Sequence, residues 1–222
     1  MGQQDHHRVN GIYPNGGSFL LLGNAIIYTH MKTAEEKVMI KGIHTFRTYD
    51  MTSVEAQTLE KEILHHIETK NLWDISGYQA RYNQLIESLK RFMTKEMVIN
   101  NLVTTVGRSV LAQRLAGTTT YTGIINYGAL GSSATAVANG DTQLGTEVFR
   151  KTVASASYTT NVAFIDFFYT KADTNGTYQE FGTFIDGTGS ANSGQIFTHA
   201  LTGGWVKTSS ESMTVSCQYT IT

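Results

Sequence analysis

The chain has 222 residues, 41% of them hydrophobic, with 17 basic and 18 acidic side chains and a single cysteine. This length can bury a sizeable core, and one cysteine excludes both an internal disulfide framework and a cysteine-cluster zinc site. The near-neutral charge argues against a dedicated nucleic-acid binder, which needs a concentrated basic face to neutralise phosphates.

Residues 1–40 follow neither a helical nor a strand period, because Pro14 and several glycines interrupt them. We interpret this segment as an extended N-terminal arm that holds one strand within Ser18–Thr29. Because Met31 and Met39 each precede a more regular pattern, the compact fold could also begin at either of them. The arm lacks a secretory signal and the chain has no apolar run of membrane-spanning length, so we expect synthesis in the cytoplasm and no membrane partner.

Residues 41–117 contain three helical patterns, and we interpret them as one helical region. The first helix, Thr52–Asn71, begins with a capping-box pattern. A short link joins it to a second helix that begins at Ser76, which predicts an antiparallel helical hairpin. The third helix, Thr105–Ala116, is followed by a glycine, a frequent residue just after a helix end.

The second helix carries more apolar surface than the first helix can cover. Its apolar residues recur at the alternating spacings of a coiled-coil seam. They are Tyr78, Tyr82, Leu85, Leu89 and Phe92. The excess must contact either the rest of the same chain or other subunits, because such an exposed patch is unusual in a soluble monomer. Both alternatives stay open, and the second predicts a homo-oligomer, with a trimer as the favoured state.

The composition changes after the helices. The first 100 residues carry 11 of the 17 basic and 11 of the 18 acidic side chains, and Thr, Ser, Gly and aromatic residues become more frequent after them. Residues 118–222 are therefore typical of a β domain with small-residue loops. The strand patterns are Ile124–Leu130, Val148–Ala154, Val162–Tyr169, Tyr178–Ile185, Gln195–Leu201 and Met213–Ile221. We predict an α+β protein in which an N-terminal helical part is followed by an antiparallel β-sandwich.

The stretch Asn175–Gly187 is a strand pattern closed at each end by a turn dipeptide, Asn-Gly and Asp-Gly. Gly182 interrupts its aromatic residues, and a glycine in mid-strand indicates a bulge or a close backbone neighbour. We interpret this strand as a central one, with the candidate strands Val162–Tyr169 before it and Gln195–Leu201 after it, so that a meander or a Greek-key sheet could form around it. The longest loop, Gly131–Thr146, is rich in small polar residues and is predicted to be surface exposed.

The sequence contains no nucleophile elbow, phosphate loop, zinc-protease motif or dinucleotide fingerprint. Glu147, Asp166 and Glu180 could converge as the carboxylates of a hydrolase. Since carboxylates are few in the β domain and none there lies beside a histidine, we favour structural roles for them and expect a non-enzymatic protein without a metal or cofactor. A module that binds host-surface glycans is the alternative. Its stacking platforms would be Trp205, Tyr121 and Tyr127.

An ordered series of short motifs runs through residues 100–222. The motifs are Leu102–Gly107, Leu115–Gly117, Ile125–Gly131, Glu147–Arg150 and Glu180–Gly187. The series resembles the domain at the start of tailed-bacteriophage tail-fibre and tail-collar proteins. In that family a helix containing a glycine leads to a strand ending in Leu-Gly, a Glu-x-x-Arg strand and a Glu-hydrophobic-Gly-Leu-Phe strand. Each motif alone is weak, and their order and spacing carry the resemblance.

The resemblance implies a structural protein of a bacteriophage virion, in which this domain docks a fibre or spike onto the particle. Such fibres are typically trimeric, so the implied partners are other virion proteins and further copies of the chain. The motif residues with an implied structural or assembly role are Glu147, Arg150, Glu180, Gly182 and Phe184. Two departures favour a collar, baseplate, adaptor or head-decoration component: Thr183 stands where the family usually has Leu, and the domain here ends the chain.

Overall fold

The computed structural model describes residues 40–72 and 74–222, together with the backbone of three short strands before them. The chain divides into two compact units, Met1–Val38 and Met39–Thr222. The second unit therefore begins at one of the two methionines that precede a more regular sequence pattern.

In the first unit the described strands are β1 (Asn10–Ile12), β2 (Ser18–Leu22) and β3 (Ala25–Tyr28). They pair antiparallel in the order β1–β2–β3. The stretch Ser18–Thr29 thus contains two paired strands where the sequence predicts one. The predicted arm covers residues 1–40. Apart from these three strands and residue 40, it lies outside the described residues.

The described part of the second unit contains three α-helices and ten strands. The helices are α1 (Val54–Glu68), α2 (Ile75–Leu89) and α3 (Thr105–Leu115). The strands are β4 (Ile40–Asp50), β5 (Met93–Asn100), β6 (Leu102–Val103), β7 (Ile125–Gly131), β8 (Glu147–Thr152), β9 (Ser155–Thr159), β10 (Val162–Tyr169), β11 (Gly176–Ile185), β12 (Gln195–Lys207) and β13 (Glu211–Ile221). Every helix in the described part of the chain is too short or too polar to traverse a bilayer.

Side-chain caps set where the three helices begin. Ser53, Asp74 and Thr104 each accept a hydrogen bond from the backbone N–H three residues further on. The cap of α1 is therefore Ser53, one residue later than the predicted capping box at Thr52. The predicted helix Thr105–Ala116 is confirmed to within one residue by α3.

Two five-stranded antiparallel sheets contain the strands of the second unit. Sheet I has the order β5–β4–β13–β10–β9, and sheet II has the order β6–β12–β11–β7–β8. In sheet I, β4 pairs with β13 along its whole length, from Ile40 opposite Ile221 to Asp50 opposite Glu211. The first and last strands of the unit therefore lie side by side within one sheet.

The inner faces of the two sheets share one hydrophobic core. Phe46 and Phe167 of sheet I lie with their ring centroids 5.4 and 5.8 Å from that of Phe181 in sheet II. Phe197 of sheet II contacts Tyr219 of sheet I in the same way, at 5.2 Å. Burying each side chain of this size contributes roughly 1.5–3 kcal/mol, so these aromatic contacts make a large part of the stability.

The alternation predicted for the last strand is confirmed over most of its length. Met213, Val215, Cys217 and Tyr219 are buried in the core between the sheets, and Cys217 is a free thiol. Ile221, at the end of the same side of the strand, is 51% exposed. The buried side of this strand therefore ends at Tyr219 and not, as predicted, at Ile221.

The helical hairpin of α1 and α2 covers part of the outer face of sheet I. Tyr82, Leu85 and Leu89 are buried there in a second core, together with aromatic residues of β4 and β10, and Phe92 packs against its edge. The apolar excess of α2 therefore contacts the sheet of the same chain, which is the first of the two alternatives. These residues give no support to a subunit interface.

A buried carboxylate also ties the hairpin to the sheet. Glu60 of α1 is 5% exposed, and one of its oxygens accepts hydrogen bonds from the backbone N–H of Lys171, at 2.7 Å, and from the hydroxyl of Ser212. The hairpin is thus held by both apolar packing and hydrogen bonds.

The predicted division into a helical region, residues 41–117, and a β domain, residues 118–222, needs correction. β4 and β5 lie within the first range yet pair in sheet I, and β6 pairs in sheet II. The pattern of β4 is hard to recognise because its inward side includes His44 and Thr48 beside Phe46. The helices therefore interrupt a β fold that begins at Ile40.

The neighbours of the central strand also differ from the prediction. β11 is the middle strand of sheet II, as predicted, and one of its partners is β12, which contains the predicted strand Gln195–Leu201, but the other partner is β7. The strand Val162–Tyr169, observed with the predicted bounds as β10, lies in sheet I instead. The loop Gly131–Thr146 is only partly exposed, since Leu144 is buried against sheet II.

Candidate functional site

The outer face of sheet II carries buried charged side chains beneath two loops, residues 132–146 and residues 186–194. Ala129, Phe184 and Ile196 form an apolar floor there with Leu144 of the first loop. We call this face with its two loops the loop-anchoring face. It contains the motif residues of sheet II that the sequence singled out.

Glu180 holds the first loop and is 1% exposed. Its Oε1 accepts hydrogen bonds from the backbone N–H groups of Ser133 and Thr146 at 3.2 and 2.8 Å, and its Oε2 accepts one from Gly145 at 2.9 Å. Gly131 makes room for this carboxylate, because a Cβ at that position would lie 2.4 Å from Oε1. Charge-assisted bonds of this kind offset the cost of burying a carboxylate.

His199 joins Glu180 to Asp141 of the same loop. Its Nδ1 lies 2.7 Å from Asp141 Oδ2, and its Nε2 lies 2.9 Å from Glu180 Oε2. His199 therefore acts as a buried cross-link between strand and loop, with both ring nitrogens occupied.

Glu147 and Arg150 form a buried ion pair that holds the second loop. Arg150 Nε and Nη2 donate to the two oxygens of Glu147 at 2.5 and 2.7 Å, and the two side chains are 1% and 5% exposed. Arg150 Nη1 donates to the Thr188 carbonyl at 2.9 Å and to Ser193 Oγ at 2.7 Å. The guanidinium also lies 4.9 Å from the centre of the Phe184 ring. The Glu-x-x-Arg motif is thus a bidentate clamp.

Gly182 is constrained by close neighbours on both sides. A Cβ at this position would lie 2.9 Å from the carbonyl oxygen of Thr198 and 2.9 Å from a methyl carbon of Leu144. The register shifts of β11 fall before and after Gly182, between Tyr178 and Glu180 and between Thr183 and Phe184. Close approach, the second of the two predicted reasons, therefore accounts for the glycine.

The predicted site residues fall into two groups. The loop-anchoring face brings together Glu147, Arg150, Glu180, Gly182 and Phe184. The core between α2 and sheet I contains Tyr82, Leu85, Leu89 and Phe92. Asp166 belongs to neither group, because it lies on β10 in sheet I. Glu147, Asp166 and Glu180 therefore do not converge as a hydrolase would require.

The three aromatic residues considered as glycan platforms present no common open surface. Trp205 is 7% exposed in the core between the sheets, and Lys95 Nζ lies 4.5 Å from its ring. Tyr127 packs on the floor of the loop-anchoring face with Arg150 over its ring, at 5.4 Å. Tyr121 is partly buried against the main core. Glycan stacking on Trp205 is therefore excluded.

The sequence did not indicate His199 or Asp141. They are 58 positions apart, and Asp141 lies in a loop without a recognisable motif. The usable signal was the polar pair Thr198 and His199 inside the otherwise apolar strand pattern Gln195–Leu201. A polar residue inside such a strand needs a buried partner.

Within the described residues, no group of three or more His, Cys, Asp or Glu side chains is arranged to hold a metal ion. Comparisons of the chain with protein-family models, with curated proteins and with solved structures find no significant match.

Proposed function

We propose that this protein is a non-enzymatic structural component of a bacteriophage virion and acts through protein–protein assembly. One observation carries the proposal: the motifs of the tail-fibre resemblance, dispersed over the second half of the sequence, meet in sheet II and the helix beside it. They form β6 with the start of α3, the end of α3 with the two residues after it, then β7, the start of β8, and the end of β11 with the two residues after it. Motifs that build one structural unit support the resemblance more strongly than their order alone.

The chemistry of the loop-anchoring face supports assembly over catalysis. The oxygens of Glu180 accept three backbone N–H bonds and a His199 contact, and Arg150 is committed to Glu147 and the second loop. These groups hold two loops in fixed positions at one face of the sheet. Fixed loops are suited to docking a neighbour, because little conformational freedom is lost on binding.

We also infer that sheets I and II form the antiparallel β-sandwich that the sequence predicts. The contacts of Phe46 and Phe167 with Phe181 support this arrangement, since they join the inner faces of the two sheets. The helical hairpin then lies outside the sandwich, on sheet I.

The resemblance further supports a homotrimer that binds other virion proteins. Leu85 and Leu89 are 3% and 0% exposed within one chain, so the interface would use other residues. Leu115 at the end of α3 and Ile124 just before β7 are 90% and 66% exposed and are better candidates. Light scattering on the purified chain should then give about three times 24.4 kDa, and Leu115→Asp with Ile124→Asp should reduce this mass to that of a folded monomer. A monomeric wild type would contradict the trimer.

The virion assignment is tested on particles of the phage whose genome encodes the chain. Mass spectrometry of gradient-purified particles should detect the protein in a constant ratio to the major capsid protein, and gold-labelled antibody should mark one fixed part of the particle. Recovery of the protein only from the particle-free fraction of the lysate would contradict the proposal.

A further inference from the structure

The part of the outer face of sheet I that the helical hairpin leaves open contains a polar groove. Two cavities of about 440 and 350 Å³ lie there alongside α2 and share four lining residues, Arg47, Asn83, Asp166 and Ser216. We call them together the Asp166 groove. Volumes of roughly 300–1,000 Å³ are typical of sites for small molecules.

Asp166 is only partly compensated in this groove. Burial raises the pKa of its carboxyl, and the hydrogen bond from Ser216 and the charge of Arg47 offset that effect only in part. The nearby guanidinium is itself engaged, since Arg47 Nε donates to Glu96 at 2.5 Å. A carboxylate offers about four acceptor positions. Asp166 therefore retains acceptor capacity at a cavity wall.

A short chain of hydrogen bonds orients a donor group near Asp166. Ser155 Oγ donates to Gln79 Oε1 at 2.5 Å, and Gln79 Nε2 donates to Asn83 Oδ1 at 2.9 Å. Because its oxygen is fixed in this way, Asn83 presents its NH₂ group as a donor. The exposed helix surface thus offers a donor of defined direction at the edge of the cavity.

The charges of the groove disfavour an anionic ligand. Arg47 is paired with Glu96, and Lys90 is paired with Glu87 at 2.6 Å, so the charge of Asp166 is compensated only in part. A phosphate or carboxylate ligand would meet this carboxylate without a free cation. The groove therefore favours a neutral ligand over an anionic one.

The other lining groups match a ligand with many hydroxyls. The hydroxyl and amide side chains of the larger cavity are Thr45, Gln79, Asn83, Ser157, Thr159, Ser216 and Gln218. Phe164 supplies one aromatic ring among them. A pyranose needs this combination, because its hydroxyls exchange hydrogen bonds with polar side chains while its C–H face packs on an aromatic ring.

We propose that the Asp166 groove binds a neutral saccharide. Asp166 accepts hydrogen bonds from sugar hydroxyls, the Asn83 amide donates to a sugar oxygen, and the Phe164 ring contacts the apolar face of the pyranose. The site differs from the aromatic platforms considered from the sequence and does not depend on the assembly role.

The test is a nuclear magnetic resonance titration of the isotopically labelled full chain. Glucose, galactose, N-acetylglucosamine and maltose are added singly, with inorganic phosphate and spermine as the anionic and cationic probes. We expect at least one sugar to shift the side-chain amide signals of Gln79 and Asn83 with a dissociation constant of about 1 mM, a strength typical of weak specific contacts. Asp166→Asn and Asn83→Ala should each weaken this binding about tenfold, since each removes one hydrogen-bonding partner.

Glu68→Gln is the matched control, because Glu68 is an exposed carboxylate on α1 away from the groove, and it should bind the sugar like the wild type. Asn83 is exposed on a helix, so its replacement by alanine should keep the fold. The proposal is overturned if no sugar shifts groove signals, if phosphate or spermine shifts them and sugars do not, or if sugar binding persists unchanged in both groove variants.

Discussion

Both sheets bury a carboxylate on their outer faces, and the protein treats the two in different ways. Glu180 on sheet II receives three backbone N–H bonds and contacts His199, so the chain itself fills its acceptor positions. Asp166 on sheet I has the Ser216 hydroxyl and a cavity, and burial raises the pKa of its carboxyl. A buried carboxylate is structural where its own chain supplies the donors, and it is available to a ligand where the chain does not.

Replacing each of the two carboxylates by its amide should give the largest difference in stability between the two sheets. Glu180→Gln places an NH₂ group against backbone N–H donors and leaves His199 and Asp141 mismatched, so we expect a loss of about 3–5 kcal/mol in unfolding free energy. Asp166→Asn removes a poorly compensated charge and should be neutral or stabilising. Urea denaturation of both variants measures the difference. Equal small effects would show that the hydrogen bonds of Glu180 contribute little.

The cover of sheet I is tested by Leu89→Ala. Leu89 is fully buried between α2 and the sheet, so its truncation should cost about 2–5 kcal/mol. The matched control is Leu72→Ala, because Leu72 is 82% exposed and its truncation should change stability by less than about 0.5 kcal/mol. Chemical denaturation gives both values. A Leu89→Ala protein with a smaller oligomeric mass and unchanged stability would assign this residue to a subunit interface.

The cover of sheet II is tested at Gly182. Gly182→Val introduces atoms against the Thr198 carbonyl oxygen and Leu144, and it should lower the unfolding free energy by roughly 1–3 kcal/mol. Gly140→Val is the control, because a Cβ at Gly140 meets no atom within 4 Å. Thermal unfolding should separate the two. Similar melting temperatures would contradict a tight contact between this strand and the first loop.

The core between the sheets predicts an effect of pH on stability that builds up gradually as the pH falls. Burial lowers the pKa of His44 from 6.5 to about 3. Between these values the unfolded chain binds a proton that the folded chain does not, so stability should fall with falling pH by up to about 1.4 kcal/mol per unit. His44→Gln should remove this part of the slope.

Asp166 acts in the opposite direction, since its raised pKa lets the folded chain bind a proton before the unfolded chain does. Asp166 is present in both the wild type and the His44→Gln variant, so the difference between their pH–stability curves isolates the contribution of His44. Parallel curves from pH 7 to 4 would show that His44 is not buried as a neutral ring.

Local pattern was sufficient for the elements whose signals lie within a few residues. The period of three and four residues predicts α1, α2 and α3, and the alternation of Met213–Ile221 predicts β13. The strand Val162–Tyr169 is predicted with the observed bounds. Such signals depend on backbone geometry and neighbouring side chains, which the sequence displays directly.

Other features depended on partners that are distant in sequence. β4 escaped prediction because its partner β13 lies at the opposite end of the unit and its inward side includes His44 and Thr48. The contact of His199 with Asp141 and Glu180 escaped for the same reason, since no spacing joins a loop residue to two strands.

The sequence by itself determined the α+β class, the helical hairpin, the central position of β11 and the need for a glycine at position 182. Only the tertiary structure decided that Leu85 and Leu89 pack on the sheet of their own chain. It also decided that donors of the chain occupy the acceptor positions of the Glu180 carboxylate and leave those of Asp166 partly open. Local periodicity shows that a side chain must be buried or paired. Which surface buries it, and which donors reach it, depends on strand order and loop paths that are set only when the whole chain packs.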